Sequence, residues 1–252
     1  MKNSKLIAAA AAVGAMLGIG VASAADLPMK ALPYTAPPPP FSWTGFYIGG
    51  NAGAGVLLDQ GFQSLNLNDR HGIGGLAGGQ IGYNWQMGMF VLGIEGEGFW
   101  SGMKVTQDGF SGINPGILTS IATIKNRWDY DIAGRFGIAI DHALIYGKAG
   151  WVGGNFAWNL TEPFNPGFNV NSSATLNGLL IGLGLEYAFT NNWTVKFEYD
   201  YLGFPAKDVL FTTVNCATCT PFTTTQSVSA DKHIFKVGFN YLFNASPVVA
   251  RY

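Results

Sequence analysis

The sequence predicts an all-β fold: a closed, antiparallel, eight-stranded transmembrane β-barrel with short periplasmic turns and four long extracellular loops. Four observations carry that prediction. Apolar residues recur at every second position over long stretches, and connections alternate between tight and long. Charged residues make up only 12% of the 252 residues, against roughly 25% in an average soluble protein. The 35 glycines and 14% aromatic content argue against disorder, which needs few aromatics and much charge. Beyond the N-terminus no apolar run approaches the ~20 residues that a membrane helix needs.

The chain opens with "MKNSK", which supplies Lys2 and Lys5, followed by an Ala- and Gly-rich apolar stretch and "ASA" at Ala22–Ala24. Positive start, apolar core and small residues at the cleavage site define a signal peptide over 1–24. Its removal would leave 12 basic and 15 acidic residues, a balance that gives nucleic acid nothing to bind. Residues 25–42 include "DLPMKALPYTAPPPP", with six prolines and no apolar period, and read as an extended periplasmic linker. The barrel is expected over 43–243 and a short C-terminal tail over 244–252.

Eight alternating segments follow the linker: 45–56, 72–86, 90–105, 122–140, 144–159, 174–190, 193–206 and 228–243. "QMG", "DHA" and "TNN" are tight turns after the second, fourth and sixth. The remaining connections, 57–71, 106–121, 160–173 and 207–227, are long and rich in Gly, Asn, Thr and Pro. In the seventh segment Trp193, Val195, Phe197, Tyr199 and Tyr201 oppose Thr194, Lys196, Glu198 and Asp200. In the last, Phe235, Val237, Phe239, Tyr241 and Phe243 oppose Lys236, Gly238 and Asn240. Leu180 and Leu242 break this rule, and Trp158 is out of phase with Trp151, which suggests a β-bulge in the fifth segment. Aromatics gather toward both ends. Trp43, Phe46, Trp85, Phe90, Phe189, Trp193 and Phe243 lie at the short-turn side; Trp100, Trp128 and Trp158 lie toward the loops.

The alternating charges decide which face is which. An Arg or Lys at the lipid midplane costs about 2–4 kcal/mol, and several would exceed a domain's net stability of about 5–15 kcal/mol. They must point inward. The phase gives an interior set of Glu95, Glu97, Arg127, Asp129, Asp131, Arg135, Lys148, Glu186, Lys196, Glu198, Asp200 and Lys236. An eight-stranded barrel is about wide enough for its own side chains, so this mixture is expected to pair across the lumen. The alternative is a narrow porin for small hydrophilic solutes or ions.

"WTGFYIGGNAGAG", "GGQIGYNWQMGMFVLGIEGEG", "YLGFPAKD" and "HIFKVGFNYLF" resemble the alphaproteobacterial porin-like outer-membrane proteins, the small surface-exposed rhizobial and brucella-type barrels. The resemblance runs from Trp43 to near the C-terminus. It implies an OmpA-like eight-stranded barrel in the outer membrane of a Gram-negative bacterium, inserted by the barrel-assembly machinery. Many such chains end at the final strand's aromatic. Here "NASPVVARY" continues past Phe243, so either Phe243 or Tyr252 could be the insertion signal. The resemblance also implies covalent attachment of an Ala25-Asp26 terminus to peptidoglycan, for which an unattached spacer is the plain alternative.

Other motifs point to no chemistry. Cys216 and Cys219 form a CxxC without a second ligand pair or a βαβ context, and fit a small loop disulfide or two unpaired thiols better than a zinc or redox centre. "GIGGLAGG" at 72–79 lacks the preceding strand and following helix of a dinucleotide fingerprint. Asp69, Arg70 and His71 are the best catalytic candidate, yet read more simply as solvated loop residues. No cofactor, metal or enzymatic activity is expected. The expected role is a structural barrel that supports the envelope and presents surface loops, with outer-membrane lipid and lipopolysaccharide as partners.

Overall fold

The computed structural model describes residues 41–59, 71–110, 118–214 and 223–244. The signal segment, most of the linker including Ala25, the cysteines Cys216 and Cys219, and the C-terminal tail lie outside them. Among the described residues, nine antiparallel strands run in chain order. They are β1 (Gly45–Asp59), β2 (His71–Met87), β3 (Phe90–Ser101), β4 (Lys104–Phe110), β5 (Leu118–Ile140), β6 (Ala143–Glu162), β7 (Asn165–Ala188), β8 (Trp193–Val214) and β9 (Thr223–Asn244). The sheet runs in the order β3-β2-β1-β9-β8-β7-β6-β5-β4, and β3 also pairs with β5, so it closes on itself. Closure through β3 and β5 removes the edges of the ring, which lipid demands because it cannot hydrogen-bond an open strand, while β4 pairs with β5 alone.

One more strand is present than expected because the segment 90–105 is divided. Both β3 and β4 pair with the same edge of β5, one above the other. The Met103 N–H turns to Ser101 Oγ (3.4 Å), while Gly102 N–H still reaches Gly75 (2.9 Å) and Asn126 N–H reaches Met103 (3.0 Å). The two strands therefore share one place in the ring. The tight turns fall at Gly88-Met89, Asp141-His142 and Phe189–Asn192, with Gly88 and Asp141 at φ of 63° and 53°. Both φ values suit the tight reversal, and Gly and Asp tolerate them.

The long connections are shorter than the sequence suggests. β6 and β7 continue through most of 160–173, and β8 and β9 occupy much of 207–227. Runs such as "NVNSSATL" and "TTTQSVSA" are β-branched and alternating enough to extend the hairpins. Between Asn171–Thr212 and Leu179–Gly203 the β7–β8 ladder is interrupted. There side chains bridge the strands: Ser172 Oγ donates to the Leu210 carbonyl (2.7 Å) and Lys207 Nζ to that of Thr175 (2.9 Å).

The outer wall is apolar. Ile48, Ile81, Ile132, Leu183, Phe197 and Phe239 are all more than half exposed. A soluble monomer rarely exposes so continuous an apolar surface. Phe46, Trp85, Phe90, Phe189, Trp193 and Phe243 ring the short-turn end, and Trp100, Trp128, Tyr130 and Trp151 the other. Two aromatics leave these girdles. Trp43, 1% exposed, and Trp158, 4% exposed, point inside. β6 pairs without a break through Trp151 and Trp158; the bulge lies instead on β5, where Arg127 is inserted between Asn126 and Trp128.

Leu183 lies midway between the girdles on β7, and Asn177 lies level with the upper one, in register with Tyr130 through Gly153. Leu183→Arg should cost about 2–4 kcal/mol in denaturant unfolding from lipid vesicles, and Asn177→Arg about 1 kcal/mol or less. Equal costs would contradict this placement of the wall in lipid.

Candidate functional site: the barrel lumen

Inward positions on six of the strands, β3 and β5–β9, converge on a charged middle layer. Five cations, Arg135, Lys148, Lys196, Lys232 and Lys236, and seven carboxylates, Glu95, Glu97, Asp129, Asp131, Glu186, Glu198 and Asp200, are each at most 5% exposed. At its centre Lys236 Nζ sits 2.7 Å from Glu97, 2.7 Å from Asp200 and 3.0 Å from Glu198. Lys148 Nζ lies 2.7 Å from Glu198, 3.3 Å from Glu97 and 3.4 Å from Asp200. Lys196 joins Glu95 (3.4 Å) and Glu198 (3.5 Å). Oxygens of Glu95, Glu97 and Glu198 lie close enough together to suggest a cation site. The three lysine ammoniums already supply that positive charge.

Toward the short-turn end, Arg135 donates to Glu186 (2.7 Å) and to the Tyr47 hydroxyl (2.7 Å), which in turn donates to Glu95 (2.9 Å). Its guanidinium lies 3.9 Å from the Tyr146 ring centroid and 5.4 Å from that of Tyr47, so two aromatic faces flank it. A Cβ at Gly82 would strike Tyr47, and one at Gly184 would strike Tyr146. These two glycines make room for the clamp. Glu186 also accepts from Thr194 (2.5 Å) and Asn240 (2.7 Å). Toward the loop end, Lys232 pairs with Asp129, which also accepts from Asn126 (3.1 Å), and Lys232 lies 4.7 Å from the Phe156 ring.

Apolar layers flank the charges on both sides. Below the charges, Trp43, Val91, Ala139, Leu144, Tyr146 and Ala188 pack together, with Phe41 against them. Trp43 is held by its N–H to Gln86 (2.8 Å). Above the charges, Leu57, Phe99, Phe156, Leu176, Leu202 and Phe204 belong to a larger cluster.

Eleven of the twelve residues expected inside lie in this layer. Arg127 does not. As the extra residue of the β5 bulge it turns outward and is exposed, which corrects its assignment. A single inserted residue shifts a two-residue period by half a cycle. Lys232 was missed although it shares the phase of Lys236, four residues on. Thr194 and Asn240 lie on the inward face as their phase predicts, while Tyr47, Asn51, which donates to Glu97 (3.0 Å), and Gln80, which donates to Asn240 (2.7 Å), give no charge signal because they are neutral. His71 opens β2 and is exposed, while Asp69 and Arg70 lie outside the described residues.

A closed ring with an apolar wall, two aromatic girdles and a charged interior defines a transmembrane barrel of the outer-membrane type. The chain belongs to the outer membrane protein beta-barrel domain family, whose model matches residues 10–243. It is 36% identical over 207 residues to the 31 kDa outer-membrane immunogenic protein of Brucella melitensis biotype 1, covering 76% of this chain and 84% of that one. It is 34% identical over 172 residues to the 22 kDa outer membrane protein of Rhizobium leguminosarum bv. viciae, covering 68% of each. Among solved structures, a major outer membrane protein from Thermus thermophilus is similar at TM-score 0.48 and 11% identity, over 78% of this chain and 99% of that one. OprG from Pseudomonas aeruginosa is similar at TM-score 0.47 and 12% identity, over 81% and 99%. The protein is thus an outer-membrane barrel of a Gram-negative bacterium.

Within the charged layer one carboxylate stands apart. Among the described residues neither oxygen of Asp131 has a hydrogen-bond or ion-pair partner, whereas Asp200 pairs with Lys236 at 2.7 Å, and the cross-strand partner of Asp131 is Glu97. Glu97→Gln would strip Lys236 of a bonded anion and should cost about 3–5 kcal/mol in equilibrium unfolding. Asp131→Asn removes a charge that nothing bonds and should change stability by less than about 1 kcal/mol, or raise it. The reverse order would contradict this view of the network.

Proposed function

We propose that this protein is a non-conducting structural barrel that contributes to envelope integrity and presents its loops at the cell surface. The observation that carries the reading is the filled lumen: an apolar layer around Trp43, an ion-paired layer, and an apolar layer around Phe156 and Phe204. A hydrated solute would have to displace side chains from all three. Eight ring positions enclose little more than the side chains themselves. Each lumen cation touches at least one carboxylate, so no ring of a single sign is left to attract ions.

No step of this role is chemical. The barrel anchors itself through its lipid-facing wall and girdles, and the extended β5–β9 hairpins carry the connections beyond the headgroups. The Brucella relatives bear the name outer-membrane immunogenic protein, which fits presentation of such connections to the outside. The narrow-porin alternative differs in one measurable respect. In planar-bilayer recordings the inserted protein should give no stable conductance steps. Reproducible steps that change size on Arg135→Ala or Glu97→Ala would establish a pore through the charged layer and overturn the sealed-lumen reading.

A further inference from the structure

Lys104 on β4 and Lys125 on β5 are direct cross-strand partners, and the bulge residue Arg127 lies two positions further along β5. All three are exposed on the outer wall, and all three line one recess together with Thr123, Asn159 and Ser173. No Asp or Glu lines that recess. Among the described residues no carboxylate pairs with any of the three, whereas every lumen cation has such a partner. Like charges placed directly opposite in a sheet destabilise it. The bulge adds a third charge by turning Arg127 out of the lumen.

Height narrows the occupant. Trp128, next to Arg127, is exposed in the upper girdle, and Trp100 is its cross-strand partner. Lys125 is three residues further, about 10 Å along the strand before tilt is counted. Such a girdle marks the boundary where acyl chains give way to headgroups. The three cations therefore face sideways at headgroup level, and the aromatic surface of Trp128, Tyr130 and Trp151 lies beneath them. This is not a uniform basic ring: on the β8–β9 side Asp231 accepts a hydrogen bond from Tyr201.

We infer that the β4–β5 recess binds the anionic headgroup of an outer-leaflet glycolipid, lipopolysaccharide. Its phosphate or uronate groups sit between Lys104, Lys125 and Arg127, and its acyl chains lie along the aromatic wall below. Lysines act as point charges and arginine as a planar fork for either anion. Thr123, Asn159 and Ser173 offer hydrogen bonds to sugar hydroxyls. The site is on the outer wall and does not depend on whether the lumen conducts.

The test uses the full chain folded in detergent micelles containing rough-type lipopolysaccharide, with bound glycolipid read by native mass spectrometry. Replacing all three (Lys104→Gln, Lys125→Gln, Arg127→Gln) should lower binding by about tenfold or more. Lys207→Gln, in another sector of the same end, should leave it unchanged, and excess inorganic phosphate should not displace it. Folding of each variant is checked by the heat-dependent shift on gels; if the triple variant fails to fold, Lys125→Gln alone should still weaken binding. Unchanged binding in the variant, equal loss with Lys207→Gln, displacement by inorganic phosphate, or no binding by the unmodified chain would each overturn the inference.

Discussion

Burying twelve charged side chains within a ring of strands carries a desolvation cost that only close pairing can offset. Much of the rest of the molecule serves that pairing. Lys148, Lys196 and Lys236 are interleaved with Glu95, Glu97, Glu198 and Asp200, so each ammonium meets more than one carboxylate. Arg135 likewise meets two carboxylates, Glu186 (2.7 Å) and Glu95 (3.4 Å). Two tyrosines flank it, and both depend on a glycine on a neighbouring strand. Gly82 and Gly184 are in this sense a consequence of the charged interior.

The same constraint shapes the ends of the lumen. Water reaching the ion pairs would weaken them by raising the local dielectric. Trp43 from the segment before β1 packs at one end, and Phe99, Phe156 and Phe204 pack at the other. Lys232 lies where the upper apolar layer meets the charges. Its ammonium pairs with Asp129 while Phe156 and Phe204 face it at 4.7 and 5.0 Å. Outside, the wall has only to match lipid, and aliphatic and aromatic side chains do so without any specific contact.

The ring and most of its charged interior were legible in the sequence because a strand side chain has only two directions, and lipid forbids one of them to a charge. Glu198, Asp200 and Lys196 needed no further information. The same logic misplaced Arg127, since one inserted residue reverses the phase and leaves no mark in composition. Trp43 and Trp158 were read as girdle residues from their nearness to strand ends; their burial depends on packing inside the ring. The hairpins beyond the membrane were read as loops because Thr, Asn and Ser serve both turns and hydrated strands, and only pairing separates the two. The split of the third segment into β3 and β4 lies opposite the Arg127 bulge, where the pairing with β5 stops at Trp100–Trp128 and resumes at Lys104–Lys125.

A sealed lumen excludes water and small ions from the charged layer, and Ala133 reports on this directly. It lies inward on β5 between Asp131 and Arg135 and is 2% exposed. In a background carrying Cys216→Ser and Cys219→Ser, Ala133→Cys is exposed to a small charged thiol reagent in intact proteoliposomes. Thr106→Cys, on the exposed face of β4, serves as the accessible control. A sealed lumen predicts that the thiol introduced at position 133 stays unmodified until the barrel is unfolded, while position 106 reacts at once. Labelling at position 133 at a rate approaching that of position 106 would show an open lumen and contradict the account.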